Sequence, residues 1–166
     1  MSLFNIIPNL ITLLNGFSGC MALLSLFEGD EEMSLIWVII AVIFDVLDGF
    51  FSRLFSSASD IGKQLDSLCD VISFGLAPGF FMHFYLLELL PYHLAPLSIF
   101  SFLITISAIY RLARFNITSS SLLYFEGLPT PAFALFVVGI PFIPIQINPI
   151  IISILVFLLA ILMVSN

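Results

Sequence analysis

Long apolar runs dominate this chain and leave a bilayer as the one solvent in which most of it can fold. Residues 8–27, 33–55 and 65–90 are each predominantly apolar, and about 20 such residues in a helix cross a hydrocarbon core roughly 30 Å thick. No water is present there to satisfy backbone amides, so each run has to pair its own N–H and C=O groups as a helix. The chain is 61% hydrophobic and 9% charged, where soluble domains carry about 25% charged residues. Its mean hydropathy is +1.21. A large water-soluble domain is excluded. The expectation is an all-α integral membrane protein, a bundle of about six transmembrane helices, forming a single domain over residues 1–166.

The first span runs from Pro8 to Phe27 and is broken by Glu28-Gly29-Asp30-Glu31-Glu32. The second runs from Met33 to near Phe55, and a polar stretch follows over 56–64. The third runs from Leu65 to near Leu90, with Pro91 and Pro96 bracketing a turn. The fourth ends at Arg111 and Arg114, ahead of a Ser- and Thr-rich loop over 115–129. The fifth begins near Pro131 and frays at Pro141 and Pro144; the sixth runs from Pro149 to Val164. Asn166 is an abrupt end for a terminal helix, so the natural chain is expected to continue. The first run lacks a basic start and a small-residue cleavage site and reads as a span, not a removed signal. Cys20 and Cys69 both fall in spans and read as small packing residues.

The four bases are Arg53, Lys63, Arg111 and Arg114. In a six-span plan with the N-terminus inside, all four share one side and the acidic run 28–32 lies on the other. The positive-inside rule makes the basic side cytoplasmic. The net charge is −7, but four of the eleven acids lie within the spans. The remaining seven acids against four bases give no reason to expect a nucleic-acid partner.

Those four acids are Asp45, Asp48, Asp66 and Asp70. A carboxylate at the centre of a bilayer costs roughly 2.5–3.5 kcal/mol on insertion scales. Four of them on adjacent spans call for a compensating partner, and divalent cations are the obvious one. Asp45 and Asp48 are three apart and Asp66 and Asp70 four apart, so each pair shares a helix face. The second and third spans are expected to pack as an antiparallel pair with these faces meeting. Oxygen-only ligands suit Mg²⁺, Mn²⁺ or Ca²⁺. Two such ions about 3.5–4 Å apart stabilise both oxygens of a phosphoryl displacement. Intramembrane acids also mark cation and proton pathways, so on spacing alone a transporter stays open, as do helix-packing polar groups. Gly49 removes a side chain beside Asp48; Gly62 does the same or ends a turn. Arg53 reads as a phosphate contact or a carboxylate partner.

The string from Asp45 to Asp70 resembles the signature of the CDP-alcohol phosphotransferase family, Asp-x2-Asp-Gly-x2-Ala-Arg-x8-Gly-x3-Asp-x3-Asp. Asp45, Asp48, Gly49, Arg53, Gly62, Asp66 and Asp70 match it with every spacing intact, and Ser52 replaces the family's Ala. Three further stretches resemble the members that use serine as acceptor: Asp66–Gly75 with Ala77-Pro78, Arg111–Asn116, and Gly127–Ala132. The opening Pro8-Asn9-x2-Thr12-x2-Asn15 adds to this. Having only four bases also disfavours acceptors that bring a second phosphate.

The resemblance implies that Asp45, Asp48 and Asp66 bind two Mg²⁺ or Mn²⁺ ions that hold the diphosphate of CDP-diacylglycerol. Asp70 touches a metal or, in its family role, is the general base that takes the proton of the L-serine hydroxyl. The products are phosphatidylserine and CMP. Gly49, Arg53 and Gly62 would border the cytidine diphosphate. Thr12 and Asn15 face the same cavity or make interhelical hydrogen bonds. Arg111 and Arg114 either anchor the span end or, with Asn116 and loop 117–130, bind the acceptor. Family members that make phosphatidylglycerophosphate, phosphatidylinositol phosphate or archaetidylserine remain alternatives. A homodimer is expected from the family. Lys63 reads as a headgroup anchor, Glu126 as a solvated loop acid, and His83 and His93 as packing or interfacial residues.

Overall fold

The computed structural model describes residues 3–55, 59–118, 129–144 and 147–164. Six helical rods follow one another. Helix α1 covers Leu3–Phe27 and α2 covers Glu31–Leu54. Helix α3 is compound: α-helical over Asp60–Asp70, π-helical over Val71–Leu76 and α-helical again over Ala77–Leu89. Helix α4 opens as a 3₁₀ run over Ala95–Phe102 and continues as α-helix over Leu103–Thr118. Helix α5 covers Thr130–Gly139 with a 3₁₀ turn at Ile140–Phe142, and α6 covers Pro149–Val164.

Four rods are long and apolar enough to cross a membrane, and α5 and α6 are shorter. At 1.5 Å per residue the latter two reach about 20 and 24 Å, less than the roughly 30 Å core. The chain therefore reads as a multi-pass membrane protein, with six helices among the described residues, four of them at full span length.

Local chemistry explains the breaks. The α1 and α2 rods are joined by a tight reversal at Gly29, whose φ of +81° suits only a residue without Cβ. The Asp30 N–H donates to the Ser25 carbonyl and the Gly29 N–H to that of Leu26, at 2.9 and 3.0 Å. Asp30 then caps α2, its Oδ1 accepting the Met33 N–H at 2.8 Å. Helix α3 starts at Asp60, earlier than the Leu65 read from sequence, because Ser59 Oγ accepts the Gly62 N–H at 3.0 Å and pulls the polar stretch into the first turn. The π segment precedes Pro78, which has no N–H to close a regular turn. The Ala77 N–H reaches back five residues to Ile72, and Thr105 Oγ1 on α4 donates to the Gly75 carbonyl at 3.0 Å.

Helix α2 shows how the fold aims its acids. Ile36, Ile39, Ile43, Val46 and Phe50 form an exposed apolar stripe, the face for lipid. Ser34, Val38, Ala41 and Asp48 are buried on the opposite stripe, and Asp45 falls in register between Ala41 and Asp48. The same 3.6-residue period that buries Val38 turns both acids inward.

One expectation is refined. Helices α2 and α3 bring their acids together and share the apolar core along the π segment, but α1 packs more extensively along both than they do on each other. The reason is a strip of small residues on α1. A Cβ on Gly16 would sit 2.8 Å from Cys69 Sγ, and one on Gly19 would sit 2.8 Å from the Ser73 Cα. The helices meet where these side chains are missing. Gly19→Ala is therefore expected to push α1 off α3, lowering stability by about 1–3 kcal/mol and depressing the unfolding midpoint in detergent. Gly139→Ala, where a Cβ meets nothing within 4 Å, is the control and should leave the midpoint unchanged or higher. Equal midpoints for the two variants would refute the close-approach account.

Above the acids, the core is apolar. Phe81, Val38, Ala22 and Val138 join α1, α2, α3 and α5, while Met82, Ile104, Phe133 and Ile152 join α3 to α6. His83 lies against the rings of Phe84 and Phe102, at 5.6 and 5.3 Å, as a packing residue.

Candidate active site

Carboxylate oxygens of Asp45, Asp48 and Asp66 converge to within 4.8 Å of one another. The first two come from the inward stripe of α2 and the third from the second turn of α3, so the acids meet between α2 and α3. Asp48 is buried, and its Oδ2 has no hydrogen-bond partner. The Thr12 hydroxyl lies beside the Asp48 side chain while donating to the Pro8 carbonyl at 3.0 Å. An orphaned buried oxygen among converging hard ligands fits a divalent cation. Among the described residues the converging donor set is oxygen-only, which suits a hard cation better than a soft one.

Asp70 lies one turn beyond Asp66, next to Asp45, and is buried. Its Oδ1 accepts the Asn15 Nδ2–H at 3.0 Å. Asn15 is fully buried, and its backbone carbonyl accepts the Ser73 hydroxyl at 2.9 Å.

Gly49 is covered by its own helix: Arg53 Nη1 lies 3.6 Å from where a Cβ would stand. The exposed guanidinium thus folds back over the glycine toward the acid end. Gly62 faces α1, with Asn9 Oδ1 and Ser59 Oγ each 3.0 Å from a notional Cβ. It serves the cap and the α1 contact together.

Arg111 lies near Asp70 and donates from Nη1 to Thr130 Oγ1 at 2.7 Å. Its Nε is buried without a partner. Asn116 donates from Nδ2 to Ser67 Oγ at 2.9 Å, and its Oδ1 is buried without a partner. Lys63 differs from the headgroup anchor read from sequence. Its Nζ donates to the Asn116 carbonyl at 2.8 Å, half-buried between α3 and α4. The early start of α3 brings the lysine stem alongside the end of α4. Arg114 is half-buried on the same helix. Glu126 and most of loop 117–130 lie outside the described residues.

Ser67, Ser73 and Thr130 were not singled out as site residues in the sequence. Ser67 and Ser73 stand three residues before and after Asp70, a helical spacing that marks them as neighbours of its face.

Arg53, Lys63 and Arg111 therefore gather at the end of the bundle where the acids converge. A membrane bundle with a hard-ligand acid cluster among cationic groups is built for a charged, phosphate-bearing substrate. Residues 5–164 match the family model described as CDP-alcohol phosphatidyltransferase, and the chain belongs to that family. It is an enzyme of that class.

Among its relatives is the CDP-diacylglycerol–serine O-phosphatidyltransferase of Bacillus subtilis, 32% identical over 98% of this chain and 88% of the relative. The enzyme of the same name from Methanocaldococcus jannaschii is 37% identical over 96% of this chain and 71% of its own. The archaetidylserine synthase of Methanothermobacter thermautotrophicus is 35% identical over 79% of this chain and 55% of its own.

Proposed function

We propose that this protein, as one transmembrane catalytic unit, transfers the phosphatidyl group of CDP-diacylglycerol to the hydroxyl of L-serine, giving phosphatidylserine and CMP. The observation that carries this is the convergence of Asp45, Asp48 and Asp66 with an unpartnered buried oxygen on Asp48, in a chain similar to enzymes named for that reaction. The family reading favours transfer over a cation or proton pathway.

Asp45, Asp48 and Asp66 would hold two divalent cations, Mg²⁺ or Mn²⁺, with Asp70 at their edge. When bound, the ions supply neutralisation of the diphosphate and of the departing CMP. Asp70 takes the serine hydroxyl proton as that oxygen bonds to the phosphorus bearing the lipid and the bond to the CMP oxygen breaks. Gly49, Arg53 and Gly62 border the cytidine diphosphate, with Thr12 beside Asp48. The acyl chains stay in the bilayer while nucleotide and serine arrive from water, which suits a site at one end of the helices.

Two unpartnered buried atoms support the acceptor side. Arg111 Nε is a donor for a carboxylate and Asn116 Oδ1 an acceptor for an ammonium, a pairing matched to an amino-acid zwitterion. Arg114 lies on the same helix, one turn from Arg111. The gathering of bases at this end supports a cytoplasmic face, and a homodimer follows the family's habit.

The test is CMP release by the purified protein with Mn²⁺ and CDP-diacylglycerol, across serine, glycerol 3-phosphate, inositol and inositol phosphate. Release that depends on serine alone is expected. Release with another acceptor would overturn the acceptor assignment, and none with any would overturn the reaction. The archaeal relative favours one second reading, an isoprenoid lipid in place of the acyl one. A CDP-archaeol arm with serine separates the two by rate.

A further inference from the structure

We infer that Asn15 is a positioning residue: its amide holds one oxygen of Asp70 so that the other is the oxygen presented for proton transfer. The inference rests on the reading of Asp70 as base.

Three observations carry it. First, Asn15 is fully buried and spends its donor on Asp70 Oδ1, 3.0 Å away. A carboxylate only accepts, so the amide nitrogen must be the atom that faces it. Second, the donor is held from both sides. The Asn15 carbonyl accepts the Ser73 hydroxyl at 2.9 Å, and the next turns of α1 rest on Cys69 and Ser73 through Gly16 and Gly19. Ser73 lies three residues after Asp70, so donor and base share one rigid frame. Third, Asn15 Oδ1 is buried with no partner. The side chain keeps this orientation with its own acceptor left unsatisfied, so the orientation serves the contact with Asp70.

A neutral donor suits the task. Lysine or arginine here would form an ion pair and weaken a base, whereas an amide orients the carboxylate without charge. The sequence left two roles for Asn15, a cavity contact and an interhelical hydrogen bond. The structure supplies the second, and its partner is the group proposed to move the proton.

The experiment compares Asn15→Ala, the isosteric Asn15→Asp and Asp70→Asn with the full-length wild type. It reads kcat, KM for CDP-diacylglycerol, Mn²⁺ affinity by calorimetry, and thermal unfolding. Partners that orient the side chains of a metal site cost about 10–100-fold in metal affinity or activity when removed, and a positioning role for Asn15 places that loss in activity. Both Asn15 variants are expected to lose that much in kcat; Asn15→Ala, which adds no charge beside the acids, should keep KM and Mn²⁺ affinity within about twofold of wild type. Raised KM with kcat intact would make Asn15 a nucleotide contact and overturn the assignment. Full activity in the isosteric variant, or failure of both variants to fold, would make it a packing residue. Asp70→Asn separates the two ideas. If it is inactive while the Asn15 variants are fully active, only the inference fails; if it is active, the base reading fails.

Discussion

Asp70→Asn is expected to lower serine-dependent CMP release by at least about 100-fold, the lower end of what a general base contributes, while the protein still folds and binds Mn²⁺ and CDP-diacylglycerol. The substitution keeps the shape of the side chain. Its oxygen can still accept the Asn15 amide, which now lies 3.0 Å from Asp70 Oδ1. What disappears is a site for the hydroxyl proton. The converging set of Asp45, Asp48 and Asp66 is untouched, so ligand binding survives. Binding is read by calorimetry and turnover by CMP release on one preparation. Turnover near wild type would remove Asp70 from the base role. Loss of Mn²⁺ binding would instead make it an indispensable ligand.

The sequence revealed the acids more fully than their surroundings. Periodicity alone turns Asp45 and Asp48 to one face, because residues three apart on a helix are neighbours and the opposite stripe of Ile36, Ile39 and Ile43 is plainly for lipid. The six helical segments were legible from the apolar runs, since a bilayer permits little else. What could not be read was which helices pack most extensively. The packing of α1 along α3 depends on Gly16 and Gly19 meeting Cys69 and Ser73. Nothing local to either segment announces that pairing. Lys63 was misplaced for a related reason. A lysine in a polar stretch looks like a surface anchor until Ser59 caps the helix early and carries it beside Asn116. The bounds of α5 and α6 were legible too: Pro141 ends the regular part of α5, and Pro149 opens α6.

Asp66→Ala is expected to cost more than about 100-fold in Mn²⁺ affinity, since even partners one step removed from a metal cost about 10–100-fold. It should also abolish the stability response to metal. Two carboxylates within 4.8 Å of one another, when both charged, repel by at least about 3 kcal/mol at an effective dielectric of about 20. Asp66 is the only acid of the three contributed by α3, so that repulsion acts directly between α3 and α2. Removing it relieves strain in the metal-free protein, which should unfold at a higher temperature than wild type. Added Mn²⁺ stabilises wild type by mass action, RT ln(1 + [L]/Kd), and should do little for the variant. The two unfolding curves therefore cross as Mn²⁺ is raised, independently of any activity assay. Parallel curves would mean that Asp66 neither repels nor ligates, and the acid cluster would lose its reading as a metal site. A metal response confined to wild type, with release of CMP lost in the variant, would tie the hard-ligand cluster to the reaction.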